Sequence, residues 1–228
     1  VIKKSNYFNL FSNRKYKMSN LTLLLIAIVL DAILGEPDWL WGRFPHPAKL
    51  IGRCVEWLDE RLNFGQHRQI AGVIAIAVLV IGALALGYLL KLLPDSGILE
   101  ALLAAILLAQ RSLTDHVSAV AAALRSCLPE GRGAVSMIGC LDPEDLDESA
   151  VARGAIGRAA ENFSDGVIAP AFWFLILGLP GILVYKVINT ADSMIGHRSE
   201  KYQEFGWATA RVDDLVNWIP ARISGALI

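Results

Sequence analysis

Three short polar clusters hold most of the residues in this chain that could do chemistry. They are Glu161-Asn162-Phe163-Ser164-Asp165, Asn189-Thr190-Ala191-Asp192-Ser193 and Arg211-Val212-Asp213-Asp214. The first two flank Val167 to Ile188, a run too hydrophobic for a soluble loop. Carboxylates, carboxamides and hydroxyls beside such sequence are costly unless they bind something. Glu161 and Asp165, four apart, share a helix face and can ligate a metal through oxygen, while Asn162 between them points elsewhere. Asp192 and the Asp213-Asp214 pair are further bases or metal ligands. Lys186, Arg198, Lys201 and Arg222 can neutralise phosphate charge. His46, held between Pro45 and Pro47, is a candidate donor to a substrate.

The elements that position these groups belong to a membrane-type chain. Of the 228 residues, 54% are hydrophobic and 19% charged. Soluble domains average about 45–50% apolar and about 25% charged. Ile70 to Leu93 carries no charge before Lys91 and spans roughly 36 Å as a helix, enough to cross a bilayer core. Leu21–Leu34 is apolar except for Thr22 and Asp31, and short for a span; Asp31 is expected at the interface or against a polar cavity. Trp39 and Trp41 suit the membrane–water boundary, and Leu50–Leu62 reads as an amphipathic helix on its surface. A helix from Ile98 is expected to turn polar at Gln110 and continue to Cys127, with His116 solvated. Residues 129–148 read as a loop, followed by a helix opening at Asp147.

Val167 to Ile188 is long enough for one span, but Gly178-Leu179-Pro180-Gly181 in its middle is a turn signal. The expectation is a re-entrant hairpin of two half-length helices, each about ten residues and roughly 15 Å, reaching mid-bilayer. A hairpin returns Asn189–Ser193 to the side of Glu161–Asp165, whereas a single span would separate them by the bilayer. Arginines in the loops 35–69 and 110–166 place both loops in the cytoplasm.

Several function classes fall away. The net charge of −1 offers nucleic acid no basic field. Cys54, Cys127 and Cys140 have no CxxC spacing, and the four histidines form no zinc pattern. Gly131-Arg132-Gly133 is not followed by the Lys-Ser/Thr of a phosphate loop. A transporter with a site at a broken helix remains open, although most charges here lie in long loops. So does a magnesium-dependent membrane prenyltransferase, for which Asn189-Thr190-Ala191-Asp192 is a weak match.

The chain closely resembles the adenosylcobinamide-phosphate synthase family of cobalamin biosynthesis. The matching blocks are LDAILGEPDWLWGRFPHPAKLIG at 30–52, AENFSDGVIAPAFW at 160–173 and YKVINTADSMIGHRSEKYQEFGWATARVDDLVNWIPAR at 185–222. The resemblance covers Leu21 to Ile228. It implies an all-α polytopic enzyme of the cell (inner) membrane, with transmembrane and re-entrant or amphipathic helices and a site facing the cytoplasm. The implied reaction is ATP-dependent amidation of a carboxylate of adenosylcobyric acid by aminopropanol or its phosphate. ATP and Mg²⁺ are the implied cofactors. Glu161, Asp165 and Asp192 are the implied metal ligands; with Asp213 and Asp214 they form the catalytic set. His46, Asn162, Lys186, Asn189, Ser193, Arg198, Lys201 and Arg222 are the substrate-binding set. A homo-oligomer or other pathway enzymes are further partners it allows. Two departures stand out: Gly157-Arg158 where the family commonly has Glu-Ser, and Cys140-Leu141-Asp142 where it tends to have Gly-Arg-Asp. Met18 is the expected natural start, leaving 1–17 as a non-native or disordered tail. Residues 18–228 are then one membrane-embedded synthase domain, expected to continue past Ile228, so that residues 1–228 alone should lack activity.

Overall fold

The computed structural model describes residues 18–35, 41–94, 97–137 and 145–228. Within them every regular element is helical, as the apolar and amphipathic periodicities require. The tail 1–17, Trp39, Asp95-Ser96 of the expected turn and Cys140-Leu141-Asp142 lie outside the described residues.

Three helices build the frame: α1 (Asn20–Leu34), α2 (Pro47–Leu62) and α3 (Arg68–Lys91). The Ser19 hydroxyl accepts the Thr22 N–H at 3.2 Å and so caps α1. At α2, Pro47 occupies a first-turn position and His46 Nδ1 accepts the Ala48 N–H at 3.2 Å. The α2 helix is amphipathic, burying Val55, Leu58 and Asp59. Among the described residues, α3 is the one helix long and apolar enough to cross a membrane.

The single helix expected from Ile98 to Cys127 is broken into α4 (Ile98–Leu107) and α5 (Gln110–Ser126). The break has a local cause. Asp31 of α1 is buried, and its Oδ2 accepts the backbone N–H groups of Gln110 at 2.9 Å and Arg111 at 3.3 Å. A carboxylate thus caps the α5 N-terminus from another helix, which compensates for the interrupted ladder. The intervening Ala109 N–H donates to the Gly166 carbonyl at 3.0 Å. The loop expected over 129–148 is also corrected, because Leu128–Met137 forms a helix, α6. Pro129 falls in its first turn, where proline is tolerated. Val135 of α6 is buried with Val120 of α5 and with Val151 and Ala155 of α7 (Glu148–Phe163), and that burial overrides weak propensity. Asp147 caps α7, accepting the Ala150 N–H at 2.6 Å.

The chain then passes through a π-helical turn, Ser164–Ile168, into α8 (Ala169–Leu177). It reverses at Gly178, whose φ of +69° suits glycine, into α9 (Leu179–Ile195). The hairpin exists, but its arms are unequal. Asn189–Ser193 lie inside α9 rather than in a flanking loop, and the Ser193 hydroxyl donates back to the Asn189 carbonyl at 2.9 Å. At 17 residues α9 is about 25 Å long. Pro180 sits over Gly87 near the end of α3, and Asn20 Nδ2 donates to the Leu175 carbonyl at 3.2 Å. The tip therefore reaches nearly the full length of α3, not half of it.

Central α9 packs on α3, α8, α2 and α4, and on α10 (Trp207–Asn217), which leads to α11 (Pro220–Leu227). One core joins Val55, Ile76, Leu79, Val187, Ile188 and Phe205; a second joins Leu23, Ala104, Phe174, Leu179 and Ile182. Outward faces of α1 and α3 remain apolar, with Leu25, Val29, Val78, Ile81 and Leu89 exposed.

Candidate functional site

The hairpin brings the three polar clusters to one end of α9. Asn162, Asp165, Lys186 and Asn189 line a cavity of about 260 Å³, closed by Ser112 and His116 of α5. Asn162 and Asp165 share this wall as i,i+3 neighbours on one helix face, which corrects the expectation that Asn162 points away from the acids. Glu161 and Asn162 are both exposed, and Glu161 pairs with Arg158 at 2.8 Å. Lys186 also lines an adjoining cavity of about 60 Å³ with His46 and Thr190. The His46 ring meets Trp41 edge-on at 4.5 Å.

The carboxylates are electrostatically coupled. Burial pushes Asp165 above the usual carboxylate range; Glu161 adds to this, while Ser164, Lys186 and Asn189 oppose it. Burial and the neighbouring Asp214 raise Asp192, with His197 opposing. Asp213 of α10 is pushed up to about 7 by burial and then by Asp192, with Asp165 and Asp214 adding to it. Its Oδ2 accepts from Asn217 Nδ2 at 2.9 Å, and Asn217 Oδ1 accepts from the buried Tyr185 hydroxyl at 3.1 Å. Its Oδ1 is buried without a hydrogen-bond partner among the described residues. A buried unpaired carboxylate oxygen costs about 1–3 kcal/mol, which a bound partner would recover.

Not every candidate reaches this place. Lys201 is bound elsewhere: its Nζ donates to Asp59 Oδ2 at 2.7 Å, joined by the Tyr202 hydroxyl at 3.1 Å and, on Oδ1, by Asn63 at 2.8 Å. Burial pushes Asp59 up, but donation from Lys201, Asn63 and Tyr202 outweighs it and holds the carboxyl below its usual value. That set ties the segment after α9 to α2. The guanidinium of Arg222 stacks 4.1 Å over Trp218 and donates to its carbonyl. Ser193 is exposed on the far side of its own back-bond. Asp214 is exposed and pairs with Arg211 at 3.5 Å, and Arg198 lines a cavity beside it. A larger cavity of about 610 Å³ between α2, α3 and α9 is lined by apolar side chains such as Leu50, Trp57 and Val78, so it holds no acid for the chemistry.

Sequence reasoning missed Ser112, His116, Tyr185 and Asn217. Asn217 was accessible as the i+4 neighbour of Asp213 on a helix. Tyr185, inside an apolar run, gave no signal. Asp165 and Asn189 line one cavity and present oxygen of the kind Mg²⁺ takes, whereas Asp192 is not among its lining residues. Among the described residues no group of three or more His, Cys, Asp or Glu could hold a metal alone.

Known proteins resemble this chain along most of its length. The family described as CobD/Cbib protein matches residues 24–228. A cobalamin biosynthesis protein CobD from Rhizobium meliloti (strain 1021) is 55% identical over 91% of this chain and 67% of its own length. Proteins of the same name from Sinorhizobium sp and Rhodobacter capsulatus are 52% and 48% identical, each over 91% of this chain and 68% of their own length. The chain thus spans about two thirds of these relatives. No solved structure matches it. With a family match over residues 24–228 and relatives about half identical over 91% of it, this chain belongs to the CobD/Cbib protein family.

Proposed function

We propose that the chain carries the site of an adenosylcobinamide-phosphate synthase, which joins aminopropanol or its phosphate to a carboxylate of adenosylcobyric acid at the expense of ATP. The observation that carries this reading is Asp213: a half-buried carboxyl pushed up to about 7, one oxygen unpartnered among the described residues, coupled to Asp165 of the cavity that holds a lysine and two carboxamides. Amide formation needs a proton acceptor for the attacking amine, since that nitrogen sheds a proton as the C–N bond forms. Asp213 supplies it at Oδ1, while Asn217 and Tyr185 hold its other oxygen in place. Lys186 and Asn189 orient the substrate carboxylate, and Asn162 binds a neighbouring amide. His46 stands behind Lys186. Asp165 and Asp192 would hold Mg²⁺, which neutralises phosphate charge when bound.

The exposed apolar faces of α1 and α3 support insertion in the inner membrane with several passes, the polar end of the hairpin facing the cytoplasm. Membranes carrying the full-length protein test the reaction by mass detection of the corrinoid amide. Asp165→Asn and Asp192→Asn should each lower its formation by at least about 100-fold, as loss of a charge-stabilising group does. Glu161→Gln, on the exposed side, should stay within a few-fold of the parent. Near-normal turnover in both aspartate variants would refute the assignment.

A further inference from the structure

The apolar cavity of about 610 Å³ is bounded by the amphipathic helix α2 and by α3 and α9. Its lining runs along α3 from Val78 to Leu86, about 12 Å, and continues on α9 with Leu183 and Val187. Gly82 lies within that stretch, and a Cβ there would meet no atom within 4 Å, so the missing side chain keeps the space open. One charged residue lines the cavity. It is Arg53 of α2, exposed and without an ion pair among the described residues. Trp57, one turn further on, shares the wall with its indole exposed, and the guanidinium of Arg61 stands 5.6 Å from that ring. Glu56 and Glu60 are exposed on the same helix but do not line the cavity.

Such a wall suits an occupant with an apolar chain and an anion at one end. The groove runs along α3, the described helix long and apolar enough to cross a membrane, so lipid chains are the apolar groups at hand. A guanidinium forks onto phosphate oxygens, and an indole settles at the level of lipid headgroups. Basic side chains on an amphipathic helix favour anionic lipid. A zwitterionic headgroup ending in an amine would meet Arg61 as well as Arg53, whereas a headgroup of net negative charge complements both. We propose that this cavity binds an anionic phospholipid, with one acyl chain between α3 and α9 and its phosphate on Arg53. The inference rests on the membrane part of the reading above and is independent of the amide chemistry.

Native mass spectrometry of the full-length protein, delipidated in detergent and given phosphatidylglycerol, tests it. The parent should hold phosphatidylglycerol in preference to phosphatidylethanolamine. Arg53→Gln should weaken phosphatidylglycerol at least about tenfold, the scale of one lost charge-assisted contact, and narrow that preference. Gly82→Leu fills the open space with a better helix former, so it should remove the adduct without lowering the melting temperature. Glu60→Gln should bind as the parent does. Cys54, exposed on the same wall, gives an independent reading. With Cys127 and Cys140 replaced, phosphatidylglycerol should slow its alkylation in the parent and not in Gly82→Leu. No adduct on the parent, equal binding of the two lipids, or parent-like adducts in both Arg53→Gln and Gly82→Leu overturns the proposal. A parent dimer without lipid that Gly82→Leu dissociates also overturns it and gives the face to a second copy. Corrinoid amide from a parent that takes no lipid would leave the synthase reading standing; a lipid adduct without any amide would do the reverse.

Discussion

Asp213→Asn is expected to make the protein more stable at alkaline pH while abolishing its use as a base. Its carboxyl is displaced from 3.8 to about 7 in the folded chain. The folded state therefore holds the proton more tightly than the unfolded state, and stability falls as pH rises from about 4 to about 7. Above about 7 the full penalty applies. At 1.36 kcal/mol per decade this penalty is about 4 kcal/mol for a fully buried group. The carboxyl is partly open to solvent, and screening brings this to about 2 kcal/mol. Asparagine keeps the acceptor for Asn217 Nδ2 but carries no charge to desolvate. In a chain of this size about 2 kcal/mol moves the melting temperature by roughly 4–8 °C. Differential scanning fluorimetry in detergent, with a chelator present, should show that gain at pH 8 and almost none at pH 4. An equal gain at both values, or a loss at pH 8, would refute the buried-charge argument.

Asn217→Leu removes the donor that lowers Asp213, so the acidic limb of the amidation pH–rate profile should move upward from near 7; an unmoved limb would exclude Asp213 as the base. Cysteines introduced as Glu161→Cys and Ser193→Cys, in a background lacking Cys54, Cys127 and Cys140, should react with an impermeant maleimide from one face of oriented vesicles. Labelling from opposite faces would contradict the hairpin. Asp31→Ala should destabilise the chain by about 1–2 kcal/mol through loss of the α5 cap, and Asp31→Asn by much less; equal melting of the two variants would show that the cap is not what Asp31 provides.

The hairpin was legible because Gly178 and Pro180 punctuate an otherwise continuous apolar run, and only glycine suits the reversal that Gly178 makes. Its depth was not, because Asn189–Ser193 reads as a polar cluster flanking the apolar run, whereas α9 runs on through it with Ser193 bonding back along its own helix. The break before Gln110 depends on Asp31, 79 positions away, and local patterning carries no trace of such a contact. The acids were visible as clusters, but the π turn at Ser164–Ile168, whose Gly166 carbonyl accepts the Ala109 N–H, had no signal in the local sequence. Lys201 looked like a phosphate clamp because it sits among polar residues. Its partner, Asp59, lies on an amphipathic helix whose buried face could be read only as apolar.

The central claim is that Asp165, Asp192 and Asp213 serve one amide-forming site. Its most direct test is product mass from membranes carrying the full-length protein, given adenosylcobyric acid, aminopropanol phosphate, ATP and Mg²⁺. The account expects a corrinoid whose mass rises by that of the amine less one water, formed only with ATP and lost in Asp165→Asn. A corrinoid left unchanged in mass while ATP is present, or an amide formed equally well by Asp165→Asn, would contradict it.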